Sequence, residues 1–273
     1  MPSLMCSPIR AAILSLTADP SGGPRFLRVG LFVEATKIKA QLDARLEHDV
    51  RVNHHLDDID VRSDGDDVVL VGEVSSIAAK KLALEAVAAL PGVTGIVDRL
   101  HVRPAEAMAD GEIADHLQRA LMGDSAFGFC EIRRAGDGRG AAAPGSGQPF
   151  VELQVEDGIV TLNGEVPSLT HKRLAGVLAW WVPGSRDVIN GIAVDPPEED
   201  RDPEILDALR IVHEKDPFLN ATQIRASCVN ARITLQGAVR NEEEKRLAET
   251  DAWALFAVDD VINEIELVQN FRR

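Results

Sequence analysis

The chain has 273 residues, 45% of them hydrophobic and 27% charged, a composition that fits a soluble globular protein of about two or three domains. With 29 Lys+Arg against 44 Asp+Glu the formal net charge is -15, which opposes binding to a phosphate backbone, so nucleic acid is excluded as an expected partner. Aromatics are only 4% and tyrosine is absent, so the cores must be built mainly from Val, Ile, Leu and Ala; Cys6, Cys130 and Cys228 are odd in number and widely spaced, which indicates neither a disulfide framework nor a zinc site and favours a reduced compartment.

At the N-terminus, Ala11 to Ala18 is apolar behind Arg10, the outline of a weak signal peptide, but Asp19-Pro20-Ser21-Gly22-Gly23-Pro24 follows at once. Residues 1–24 are expected to be a flexible leader and the protein cytoplasmic, or periplasmic if that stretch acts as a signal or the start lies elsewhere. No run is long enough for a transmembrane segment. Residues 25–34 alternate loosely (Phe26, Arg28, Leu31, Val33), which suggests an extra strand.

Ile38, Leu42 and Leu46 then mark one face of a helix. Ile59 and Val61 alternate into the turn Asp64-Gly65-Asp66-Asp67 and back through Val68 to Val71, a hairpin. Ser76 caps a second helix to about Leu90, Pro91-Gly92 ends it, and Ile96 to Val102 is a closing strand.

The same order recurs from Asp110, with Ile113, Leu117 and Leu121 on one helical face. The low-complexity run 135–149, rich in Gly, Ala and Pro, intervenes before a hairpin through Val151, Leu153, Val160 and Leu162, a helix from Ser168 and a strand over Val188 to Val194. It lacks GK[ST] and is not a phosphate loop. After the linker Asp195 to Asp200, a third copy starts at Pro203 with Ile205, Leu209 and Val212. It turns at Asn230-Ala231, where Asn suits a left-handed residue, resumes after Asn241 and closes over Val261 to Leu267.

Each copy carries a marker glycine, Gly72, Gly164 or Gly237, between strand and helix, read as a structural device. Ten, eleven and eighteen residues beyond it stand Leu82, Leu174, Leu247; Ala83, Ala175, Ala248; and Leu90, Val182, Leu255, with no gap needed. A spacing of roughly 75 to 90 residues is that of tandem domains, not of solenoid turns. The expected segments are 25–104, 105–196 with its insertion at 135–149, and 197–273.

These features resemble the BON domain (bacterial osmotically inducible and nodulation): the V-x-L-x-G-x-V strand and break, the capped helix with Lys-(Lys/Arg)-Leu-Ala at Lys80 to Ala83, Lys172 to Ala175 and Lys245 to Ala248, and the closing Val188-Ile189-Asn190-Gly191-Ile192-Ala193-Val194. Two departures are Asp98 where the other copies have Asn190 and Asn263, and Ala257 for the glycine after the helix. The resemblance implies an α+β chain of three tandem α-β-β-α-β two-layer sandwich domains, each with two helices on one face of a small three-stranded sheet. It also implies a family that is not enzymatic by itself and is linked to osmotic stress, envelope maintenance, phospholipid binding and, in one branch, potassium.

No catalytic set can be assembled from the spacing, and no cofactor or metal site is expected among His48, His54, His55, His101, His116, His171 and His213. The aspartates 57, 58, 60, 64, 66 and 67 read as a solvated hairpin tip. On the second helix, core positions fall on one stripe, whereas the sixteenth residue after the glycine points away from it: Trp180 and Trp253, against Ala88. With Arg173 and Arg246 these tryptophans are the expected interface residues, packing against a neighbouring repeat, a second chain in self-association or a protein partner; the alternatives are a membrane-interface or ligand contact and partial burial against the domain's own sheet. The expected function is a non-catalytic stress-response binding or scaffold protein; a peripheral phospholipid-binding envelope protein is the alternative, and a cation-binding sensor a weaker one.

Overall fold

A computed structural model of the chain describes residues 28–47, 49, 51–53, 57–64, 67–136 and 148–268. The expected leader, His48, His54, His55, Asp66 and most of the insertion lie outside the described residues. The chain divides into two compact units, Met1–Arg103 and Pro104–Arg273.

The first unit holds α1 (Arg28–Leu46), β1 (Asp58–Asp64), β2 (Asp67–Val74), α2 (Ile77–Ala88) and β3 (Gly95–Val102). β1 and β2 form the antiparallel hairpin, and α2 carries the chain over to β3, which pairs parallel with β2. Ile38, Leu42 and Leu46 pack with Leu70, Val74, Ala83, Val87 and Leu100, an interior without an aromatic ring among the described residues. The expected extra strand before the first helix is not formed: α1 already begins at Arg28. The sheet β1-β2-β3 does not include that stretch, and extending an existing helix costs far less than holding an unpaired strand.

The second unit contains α3 (Asp110–Gly123), β4 (Glu131–Arg134), β5 (Phe150–Glu156), β6 (Ile159–Val166), α4 (Leu169–Trp180), β7 (Asp187–Asn190) and β8 (Ala193–Val194), then α5 (Asp202–Lys215), β9 (Ile224–Val229), β10 (Arg232–Val239), α6 (Glu242–Ala254) and β11 (Asp260–Leu267). The sheet of repeat 2 is larger than expected. β4, formed just before the insertion, lies parallel beside β5, and the closing strand is split into β7 and β8. The sheet of repeat 3 runs β11-β10-β9, the same order as in the first unit.

The closing strands explain the Asn/Asp alternation. Asn190 Oδ1 accepts from Ile192 N at 3.3 Å while its Nδ2 donates to Lys172 O at 2.7 Å; Asn263 does the same with Ile265 N and Lys245 O. One amide thus ties helix to strand in both directions. Asp98 accepts from Leu100 N at 2.9 Å but has no proton to give to the helix carbonyl. Instead the buried Lys80 adds an ion pair from Nζ to Asp98 Oδ2 at 3.0 Å to a bond to Leu100 O at 2.6 Å, the latter shared with Lys245, which donates to Ile265 O at 2.7 Å.

The hairpin turns of repeats 2 and 3 are held by a helix start. Asp110 accepts from Asp157 N and Gly158 N, and Asp202 from Asn230 N and Ala231 N at 2.8 and 2.9 Å. Asn230 and Ala231 both have positive φ, 54° and 61°, which alanine adopts only at a cost. Asp202→Ala should therefore destabilise the second unit by about 1–3 kcal/mol, read as a lowered urea midpoint at unchanged slope.

The helix caps follow the sequence pattern. Ser76, Ser168 and Asn241 accept from Ala79 N, His171 N and Glu244 N. The marker glycines have φ of 146°, 134° and 135°. A Cβ there would stand 1.8 Å from Asp58 O, 2.1 Å from Phe150 O or 2.0 Å from Gln223 O. The obstacle is therefore the first strand of the hairpin, or in repeat 3 the residue just before it, and not the start of the helix.

Candidate functional site

Helix α4 is buried from Arg173 to Ala179 without a break. A helix with one apolar stripe would leave every third or fourth position wet. α4 instead has its own sheet on one side and, on another, α5 and α6 of repeat 3. The joint between these two repeats gathers most of the unusual side-chain chemistry of the second unit.

Arg173 is fully buried, and its guanidinium pairs with Asp200 of the linker while Nε donates to Phe256 O at 3.4 Å. Glu198, also of the linker, accepts from Leu169 N at 2.8 Å, a carboxylate at a helix start, where backbone dipoles favour it. Lys172 Nζ lies 5.0 Å from the centre of the Phe256 ring, and burial pushes its pKa down against the pull of Asp200. At one margin of the joint Lys215 Nζ pairs with Asp124 at 2.8 Å; at another His171 stands edge-on to Phe127 and Phe129, its pKa lowered by burial.

Trp181, the first residue beyond α4, donates from Nε1 to Asp251 Oδ1 on α6 at 2.8 Å. Asp251 is 2% exposed, and its Oδ2 is buried with no hydrogen-bond partner among the described residues. Burial raises its pKa from 3.8 to about 7; the Trp181 bond works against the rise and the charge of nearby Asp216 adds to it. The raised value means that the folded unit binds a proton which the unfolded chain releases between about pH 4 and pH 7. Stability from this group is complete below about pH 4 and declines as pH rises to about 7. Asp251→Asn keeps the acceptor for Trp181 and removes the charge. It should stabilise the second unit at pH 8 by a few kcal/mol, since every tenfold change in proton affinity corresponds to about 1.4 kcal/mol, and flatten thermal stability against pH between 5 and 8.

Of the residues singled out from the sequence, Arg173 lies at the centre of this joint. Trp253, on α6, is 1% exposed, so it does not stand on an outer surface as its helical phase suggested; Trp180 is half-buried. Helical phase locates the face turned from a helix's own sheet, but α6 also packs against α5 and α4, so facing away from the sheet does not mean facing solvent. Arg246 is not brought in: it is exposed and pairs with Glu243 on the same helix. Sequence reasoning missed Trp181, Asp200 and Asp251. Asp251 had a signal, since it occupies the core register where the other copies have Ala86 and Leu178. Asp200 had none, because one acid in an acidic linker looks like any other.

Among the described residues no group of three His, Cys, Asp or Glu could hold a metal ion, and no helix is long and apolar enough to cross a membrane. Asp57 accepts from Asn53 N and Ser75 N, which makes it a loop brace.

The BON domain family model matches residues 34–104, 140–196 and 201–269, together well over half of the chain. Osmotically-inducible protein Y of Escherichia coli (strain K12) is 31% identical over 166 residues, 60% of this chain and 75% of that protein. Two solved structures of CdsD, a structural protein of the type III secretion system of Chlamydia trachomatis, one of them its C-terminal domain, align at 14% and 15% identity. They cover 84% and 85% of this chain and 96% and 92% of theirs; their TM-scores of 0.22 bear no weight on the fold.

Proposed function

Because the chain belongs to the BON domain family, we propose that it is a non-catalytic stress-response protein in which repeats 2 and 3 act as one binding scaffold for a protein partner. What supports this reading is where the buried polar chemistry lies. Arg173, Asp200, Trp181 and Asp251 all meet at the joint between two repeats, where they fix the position of one repeat against the other. Buried, hydrogen-bonded charge is better attested as a device for specific arrangement than as a source of stability. The likeness to an osmotically inducible protein supplies the stress context.

The test is growth in raised salt. Deleting the gene in the source organism should slow growth under hyperosmotic medium, and the intact chain should restore it; equal growth of deletion and parent overturns the reading. Flotation with phosphatidylglycerol vesicles separates the alternative. An acidic chain of net charge -15 should stay with the unbound fraction, and co-flotation would instead favour the peripheral phospholipid-binding envelope protein.

A further inference from the structure

Repeats 2 and 3 differ at one edge of the sheet. In repeat 2 that edge is covered: β4 runs parallel to β5, with Glu131 to Arg134 opposite Phe150 to Leu153. The side chains of β4 alternate as a strand requires. Arg134 turns to the helix side, where it pairs with Asp115 and donates to Gln118 Oε1 at 3.0 Å, both on α3. Arg133 turns to the other face, bonds Glu152 at 3.0 Å and stacks 4.1 Å over the Phe150 ring.

In repeat 3 the corresponding strand, β9, is the outer strand of the sheet and pairs with β10. Gly164 faces Val151 and Gly237 faces Ile224, so Ile224, Arg225 and Ala226 stand where repeat 2 has Val151, Glu152 and Leu153. Counting from Ile113 and Ile205, Asp207 on α5 holds the place of Asp115, and it is exposed; Arg210, at the place of Gln118, pairs with Glu214. Ala226 faces the helix side yet is exposed, whereas Leu153, with β4 beside it, is 1% exposed. Repeat 3 thus presents an outer strand and, on the helix side, the corresponding carboxylate.

Edge strands are normally blunted by charge, proline or bulges. β1 carries Asp58, Asp60, Arg62 and Asp64. β9 reads Ile-Arg-Ala-Ser-Cys-Val, with a single charge, no proline, and a final Val229 that is 66% exposed.

We propose that the β9 edge of repeat 3 is a strand-addition site that takes an extended segment of a partner protein, parallel to β9 as β4 is to β5. The segment carries an apolar side chain opposite Ile224, an acidic one opposite Arg225 and, next to it, a basic one that reaches Asp207. Main-chain hydrogen bonds supply the affinity and the alternate side chains the selectivity. The acidic position follows from charge reversal: repeat 2 sets Arg133 against Glu152, and repeat 3 presents Arg225 in place of the glutamate. This proposal rests on the scaffold reading and names the chemistry of its partner.

The probe is a fluorescein-labelled peptide copying residues 131–136 with glutamate in place of Arg133, titrated against the full chain by anisotropy. Saturable binding is expected, weakened about tenfold or more by Asp207→Lys and by Arg225→Glu, both surface changes whose folding is checked by circular dichroism. The unaltered copy, with arginine at that position, should bind Arg225→Glu better than it binds the parent chain. Hydrogen exchange should show added protection over 224–229. Absence of saturable binding, or binding indifferent to both substitutions, overturns the proposal. So does a doubling of mass with protection of the same amides before peptide is added, which gives the edge to a second copy. If the peptide fails while the salt-growth defect of the deletion stands, only the strand-addition site falls.

Discussion

Gly164→Ala should unfold the second unit while leaving the first intact. At φ 134° an alanine is strained by about 1–3 kcal/mol, and its Cβ would stand 2.1 Å from Phe150 O, a distance no packing adjustment of a flexible side chain can relieve. The strand pairing of Val151 with Gly164 must open to make room, and that hairpin carries Leu153, Val160 and Leu162, all buried to 1% or less. Calorimetry of the full chain should show the transition of residues 104–273 lost or lowered by more than ten degrees or so, with that of residues 1–103 unmoved. Gly72→Ala should do the converse, and an unchanged upper and lower transition in either variant would refute the close-approach account.

Arg173→Ala is expected to cost the second unit about 3–5 kcal/mol, the range found when one partner of a buried ion pair is removed and the other left behind. Asp200, 16% exposed at its side chain, would lose its ion-pair partner and keep the weaker pull of Lys172, and the Phe256 carbonyl would lose a donor. The chain's 3 tryptophans, Trp180, Trp181 and Trp253, all belong to α4, the residue after it, or α6. Indole fluorescence therefore reports on this unit alone and should show an earlier urea midpoint. The paired replacement Arg173→Met with Asp200→Leu should recover much of the loss, because an apolar pair needs no compensation for buried charge. A single change to alanine without effect would mean that the pair contributes nothing to holding the two repeats together.

The repeated α-β-β-α-β order was legible because it rests on local signals: the capping Ser76, Ser168 and Asn241, the alternating strands around each marker glycine, and the helical faces of Ile38, Ile113 and Ile205. Two elements were hidden for physical reasons. β4 is four residues long and depends on an edge supplied by β5, so its strand character comes from its partner and not from its own pattern. α1 begins earlier than expected because loose alternation over few residues does not decide between periods when an adjoining helix can extend.

At the site, helical phase finds the right face of helix two but not its environment. Phase directs Trp253 outward, yet it is buried at 1%, since phase gives a direction relative to one sheet and says nothing of a second layer beyond it. Asp251 was readable in principle as a charge in a core register. Its bond to Trp181 was not, because the two residues are brought together only when α4 and α6 pack.

The continuous burial of α4 also bears on how the gene can change. Recombination between similar copies lengthens or shortens tandem arrays, and each crossover is tolerated only where the resulting chain keeps its interiors closed. A break between residues 196 and 201 would strip cover from Arg173 and from a helix whose last two turns are buried on every side up to Ala179, so the second and third copies must be inherited as a pair, whereas the first encloses its own core. Among these three copies the heritable pieces are therefore the first alone and the second and third joined.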